Sequence, residues 1–157
     1  MARPISKSVQ EIYAPTSSCF GCGPANPRGL HLRSFADGDM LVADWQARDY
    51  HEAFADVLCG GIIGTLLDCH STWAAAMYLM RQRRQDFPPC VVTSQYEVKL
   101  LWPTSTKEPV RLGARVTECV ADRVVVDATL TADGKACASC HGIFVTVKPG
   151  HPAYHRC

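Results

Sequence analysis

Gly60-Gly61-Ile62-Ile63-Gly64-Thr65-Leu66-Leu67-Asp68-Cys69-His70-Ser71-Thr72-Trp73-Ala74-Ala75-Ala76-Met77-Tyr78-Leu79-Met80-Arg81-Gln82 is the stretch on which the fold turns. Ala74 to Met77, Leu79 and Met80 favour helix, and the spacing predicts one over 62–82, opened by Gly60-Gly61. Ile62, Ile63, Leu66, Leu67, Trp73, Met77 and Tyr78 place apolar groups around most of its circumference. Such a helix is buried on several sides. Arg81, Arg83 and Arg84 suit its C-terminal end, where the helix dipole favours cations, and Pro88-Pro89 forbids continuation.

Working outward, the flanks read as strands. Leu30–Phe35 and Met40–Trp45 are expected as two short strands joined by the turn Asp37-Gly38-Asp39, and residues 46–59 as a loop. After the helix, strands are expected over Val91–Leu101, Val110–Cys119, Arg123–Thr131 and Lys135–Val147, with Asp133-Gly134 as a hairpin signal. The order is β-β-α-β-β-β-β, and the short links after the helix favour antiparallel neighbours. One helix that is apolar nearly all round needs a sheet curled about it. The expected class is therefore α+β with a hotdog fold, a curved antiparallel sheet wrapped around one long central helix. A ferredoxin-like fold would need a second helix. Residues 1–28, rich in proline and glycine, read as an irregular arm, 29–148 as a single domain and 149–157 as a tail.

Composition agrees with one soluble domain: 157 residues, 47% hydrophobic, 20% charged and a formal net charge of +1. That balance gives no strongly positive surface for nucleic acid. No apolar run reaches the ~18 residues of a membrane helix. The first residues lack the apolar core of a signal peptide. Nine cysteines, at 19, 22, 59, 69, 90, 119, 137, 140 and 157, are an odd count without an export signal, so a reduced, cytoplasmic protein is expected. Cys19/Cys22 and Cys137/Cys140 form two Cys-x-x-Cys pairs.

Chemistry concentrates on the helix. Gly61, Thr65, Asp68 and Thr72 recur at spacings of four, three and four, a small and polar stripe on an apolar cylinder. A carboxylate in such surroundings is costly unless partnered, and desolvation raises its pKa, which suits a general base. The alternative is that Asp68 hydrogen-bonds to a neighbouring loop and only holds structure. Cys69 and His70 fall off the stripe and read as packing residues. Free N–H groups at the Gly60-Gly61 helix start can bind an oxyanion, or the glycines only permit a tight turn. Gly60 and Asp68 are eight residues apart, about 12 Å along a helix. An oxyanion donor must sit ~3 Å from the developing charge. One helix cannot supply both groups to one carbonyl, but two antiparallel copies can. A catalytic site here predicts a dimer with sites at the subunit boundary.

Cys59-Gly60-Gly61-Ile62-Ile63-Gly64-Thr65-Leu66-Leu67-Asp68 resembles the His-Gly-Gly-x5-Leu-Asp/Glu signature of PaaI-like hotdog acyl-CoA thioesterases. Cys19-Phe20-Gly21-Cys22-Gly23-Pro24-Ala25-Asn26-Pro27-Arg28-Gly29-Leu30 resembles the N-terminal signature of one branch of that family. Thr93 to Pro103 resembles its post-helix strand, so the likeness covers about residues 19–147. The resemblance implies hydrolysis of an acyl-CoA to free acid and CoA. Asp68 would be the nucleophile or general base, the Gly60 N–H would polarise the carbonyl from the other subunit, and Thr93 would help position water. It also implies no cofactor, no metal, and homodimers often paired into tetramers. Gly61, Cys59 and Thr72 would line the substrate site. Two positions depart from the pattern. Cys59 replaces the family's histidine, and Ala53 stands where many members have Asn or Gln. His51 or Glu52, in the same loop, is expected to substitute as a substrate-binding group.

Other readings stand beside this one. Loss of the histidine and amide would suit a non-catalytic acyl-CoA-binding protein. Cys59 at a helix start has the setting of an activated thiol, but no base accompanies it. The two Cys-x-x-Cys pairs together would make a four-cysteine zinc module, although i and i+3 in a strand face opposite sides unless a bulge intervenes. His31 and His141 read as surface or hydrogen-bonded residues. Lys99, Arg115 and Arg123 are solvated strand charges or contacts for CoA phosphates.

Overall fold

The computed structural model describes residues 6–154. The ends of the expected arm and tail, 1–5 and 155–157, lie outside the described residues. In chain order the elements are α1 (Val9–Tyr13), β1 (Phe35–Asp37), β2 (Met40–Trp45), a 3-10 turn (Asp49–His51), β3 (Glu52–Phe54), β4 (Val57–Leu58), α2 (Gly60–Gln82), β5 (Val91–Leu100), β6 (Val110–Val120), β7 (Arg123–Ala132) and β8 (Lys135–Thr146). Six strands form one antiparallel sheet in the order β1-β2-β6-β7-β8-β5, and β3 pairs with β4 separately. This is the expected α+β hotdog architecture, with α2 against the sheet. Leu66, Leu67 and Ala75 of α2 are fully buried, as are Leu112 of β6, Val124, Val126 and Leu130 of β7 and Phe144 of β8. The Asp133-Gly134 hairpin signal is realised with φ +50° and +72°, the left-handed pair a two-residue turn requires.

Three sequence expectations are corrected. Residues 30–34 are not strand: the first strand begins only at Phe35, because Leu30 and Leu32 are used as anchors instead. The Leu30 and Leu32 amides bond the Phe20 and Gly21 carbonyls at 2.7 and 3.0 Å, and the Trp45 indole N–H donates to the Leu30 carbonyl at 2.7 Å. The loop over 46–59 contains the 3-10 turn and the β3–β4 pair, elements too short to show any alternation. The expected irregular arm carries α1, started by a capping box. Ser8 Oγ accepts from the Glu11 amide, and the Glu11 carboxylate accepts from the Ser8 amide at 2.7 Å. Val9 and Cys22 of this arm are buried in the same core as α2.

A buried polar chain fixes the arm to the helix. Gln10 Nε2 donates to Ser34 Oγ at 3.0 Å, and Ser34 Oγ meets His70 Nδ1 at 2.9 Å. His70 Nε2 meets the Leu41 carbonyl oxygen at 2.9 Å. With Ser34 donating to Nδ1, His70 is neutral and donates from Nε2, and burial pushes its pKa down to about 4. His70 is thus a packing residue, as expected, and also the tie between α1, α2 and β2. No helix among the described residues is long and apolar enough to cross a membrane.

Candidate active site

Asp68 lies two turns into α2, half-buried, on the side of the helix that faces β5 and the arm. Thr93 Oγ1 donates to Asp68 Oδ1 at 2.6 Å. Thr72, one turn after Asp68, donates its hydroxyl back to the Asp68 backbone carbonyl at 2.9 Å and lies 3.3 Å from Thr93 Oγ1. A register shift in β5 between Thr93 and Gln95 leaves Ser94 unpaired in the ladder beside this contact. Such a bulge re-aims the neighbouring side chains. Burial raises the Asp68 pKa above its ordinary value, and the Thr93 hydrogen bond acts the other way. Asp68, Thr72 and Thr93 are therefore brought together. Asp68 and Thr72 line a cavity of about 240 Å³ with Trp73, Val91, Cys19 and Cys69.

The helix start is elsewhere. Cys59 is the N-cap residue but makes no side-chain cap bond. The Ile62 and Ile63 amides bond the Cys59 carbonyl at 3.0 and 3.1 Å, whereas the Gly60 and Gly61 amides have no acceptor among the described residues. Gly60 opens onto a second, apolar groove of about 450 Å³, lined by Ala53, Phe54, Leu100 and Trp102. Gly61 is exposed, and the Thr65 hydroxyl donates to its carbonyl at 2.9 Å. Asp68 and Gly60 thus line separate cavities of one chain, eight residues apart on a single helix.

His51 and Glu52 are committed to the loop itself. His51 Nδ1 accepts from the Arg48 amide at 3.0 Å, and its ring sits against Trp45 and Tyr50. Burial, helped by the Arg48 charge, lowers its pKa. Glu52 Oε1 accepts from the Asp56 amide at 3.0 Å and from the Thr106 hydroxyl at 2.8 Å. Each therefore has a structural job that accounts for its position. Lys99, Arg115 and Arg123 pair on the surface with Glu97, Asp39 and Glu118. His141 pairs with Asp127 at 2.6 Å, and His31 contacts the Asn26 carbonyl.

The cysteines depart furthest from the sequence reading. Among the described residues seven are free thiols, while Cys90 is disulfide-bonded. Cys137 and Cys140 are both buried in β8, made possible by a register shift that leaves Cys137 out of the pairing with β7. They do not join Cys19 and Cys22, so the four-cysteine module is not formed. The thiol that does approach the loop pair is Cys69, with its sulfur 3.7 Å from that of Cys19. Thr65, Cys69 and Trp73 form a row at spacing four beside the Asp68 stripe, and the arm lies on it: the Trp73 indole N–H donates to the Cys22 sulfur at 3.4 Å. That spacing was visible in the sequence, but the residue's place next to Asp68 in the chain hid it.

The fold and site together define a hotdog-fold protein whose helix carries a partnered carboxylate and a free glycine N-terminus. Similarity to solved structures agrees with this fold. The chain resembles a thioesterase superfamily protein from Shewanella loihica at 26% identity and TM-score 0.65, covering 80% of this chain and 98% of that one. It shares the fold of the Escherichia coli PaaI protein from the phenylacetic acid degradation operon at 16% identity and TM-score 0.65, covering 76% and 81%. A phenylacetic acid degradation-related protein from Ralstonia eutropha matches at 19% identity and TM-score 0.65, covering 80% and 92%. No family profile and no curated protein sequence matches. The chain therefore has the hotdog fold of these thioesterase-superfamily structures.

Proposed function

We propose that the protein is a cytoplasmic acyl-CoA thioesterase that works as a homodimer or a dimer of dimers, with Asp68 of one subunit and Gly60 of its partner in each site. The observation that carries this reading is the 2.6 Å contact of Thr93 with a half-buried Asp68, in a cavity separate from the groove at Gly60. A carboxylate with a raised pKa is a better base than an exposed one, and Thr93 fixes one of its oxygens. In this mechanism the other oxygen takes a proton from water as the water oxygen adds to the thioester carbon. The resulting oxyanion accepts a hydrogen bond from the Gly60 N–H across the interface. Collapse breaks the C–S bond, and the CoA thiolate leaves with the proton held by Asp68. The free acid and CoA account for every atom. The likeness to thioesterase superfamily proteins supports the same chemistry.

The dimer is supported by what surrounds Gly60. β5 is an edge strand of the sheet, and Leu100, Leu101, Trp102 and Phe54 are all more than half exposed there. A contiguous apolar surface beside an unpaired edge is what a second copy would cover. Ala53 and Cys59 bring no strong hydrogen-bond donor to this groove, which favours a second reading, acyl-CoA binding without turnover. Thiol release from short, long and aromatic acyl-CoAs decides between them. The hydrolase reading expects turnover that Asp68→Asn reduces by at least about 10²-fold with an unchanged circular dichroism spectrum. Binding with no thiol release by the wild type would establish the second reading.

A further inference from the structure

Three thiols from two parts of the chain converge beside the Asp68 cavity. Cys19 and Cys22 come from the arm and Cys69 from α2, and their sulfur atoms all lie within 4.8 Å of one another. A zinc–thiolate bond is about 2.3 Å, so two sulfurs sharing a tetrahedral zinc stand roughly 3.8 Å apart. The Cys19–Cys69 separation is 3.7 Å.

The loop is shaped around these sulfurs. A Cβ at Gly21 would overlap the Cys69 sulfur, so only glycine lets the α2 thiol reach the loop pair. A Cβ at Gly23 would overlap the Cys19 backbone, and the turn closes through the Gly23 amide to the Cys19 carbonyl at 2.9 Å. The Trp73 indole N–H points at the Cys22 sulfur, the kind of outer contact that orients a metal-ligating thiolate. A disulfide would use two of the three sulfurs and leave the third without a role. Simple packing would not need the glycine-permitted approach.

We propose that Cys19, Cys22 and Cys69 bind one zinc ion, which clamps the arm to α2 at the residue following Asp68. Three thiols become thiolates on binding and release their protons to solvent. Cys19 is exposed, so a water molecule completes the tetrahedron from the solvent side. The ion is structural: it holds one wall of the Asp68 cavity, and it is independent of whether that cavity hydrolyses a thioester. Neither Cys137 nor Cys140 takes part.

The test is metal analysis of the full chain, purified in a reductant without chelator from cells supplied with zinc. We expect about one zinc per chain, a Tm lowered by several degrees on chelation, and its recovery on adding zinc alone. Cobalt(II) in place of zinc should give the thiolate charge-transfer and visible bands of a tetrahedral sulfur-rich site. Cys69→Ser and, because Cys69 is buried and its variant can misfold, the exposed Cys19→Ser should each cut zinc content at least about tenfold, while Cys119→Ser leaves it unchanged. Three results would each overturn the proposal. One is a reduced protein that neither retains nor takes up zinc; another is full zinc content in both cysteine variants; the third is a Cys19–Cys69 or Cys19–Cys22 disulfide in protein kept from air.

Discussion

Gly60 is the first residue of α2, and Cys59 before it has φ −59° and ψ 128°. Proline is accepted at a first helical position and asks its predecessor for an extended backbone, which Cys59 already has. Gly60→Pro therefore removes one N–H with little demand on the fold. The nearest obstacle to its Cβ is the flexible end of Leu100, at 3.2 Å. If that N–H stabilises the oxyanion, kcat falls about 10²–10³-fold with the helix content unchanged, and kcat held at the wild-type level would remove Gly60 from the mechanism. At this scale Asp68 was legible: a single carboxylate on an apolar helix is a physical anomaly that spacing alone exposes. Its contact with Thr93 was not, because residues 25 apart meet only through the fold, and Thr93 was identified by resemblance. Cys59 has the sequence setting of an activated thiol and makes no cap bond, whereas the sulfur of Cys69, which falls off the polar stripe, lies within 4.8 Å of two others. His51 and Glu52 stand near the helix start in the sequence, but periodicity carries no information on whether a loop side chain faces a ligand or its own backbone.

Among elements, α2 and the four long strands after it were readable because each is long and strongly patterned. Their bounds fall within two residues of those expected. α1 has five residues and no apolar period, and its signature was the capping box Ser8-x-x-Glu11. The Glu11 carboxylate is held at about 2 rather than the ordinary 4.5, first by the Ser8 amide and then by its other partners, Arg33 among them. A folded pKa below the unfolded one gives stability that is present above 4.5 and is lost as the pH falls toward 2. Melting curves should therefore show wild type above Glu11→Gln near neutral pH, the gap closing between pH 4.5 and 2. Because Glu11 is about one-third exposed, the gap is small, and a gap that widened on acidification would contradict the assignment.

For the whole molecule, the distance between Gly60 and Asp68 decides most. About 12 Å on one rigid helix cannot be closed by side-chain motion, so a site using both must be shared. The architecture was legible because one all-round apolar helix leaves few ways to bury itself, whereas the packing of the arm was not, since Val9, Cys22, Leu30 and Leu32 reach the core from irregular backbone. A two-fold dimer holds two such sites, each built from one Asp68 and one partner Gly60. The most direct test is to mix two inactive variants, Asp68→Asn and Gly60→Pro, unfold and refold them together, and measure thioester hydrolysis. In a mixed dimer one site carries both changes and the other carries neither. Statistical mixing should then restore about a quarter of wild-type activity. Activity no higher than the sum of the two separate variants, in a mixture shown to contain mixed dimers, would contradict a site shared between subunits.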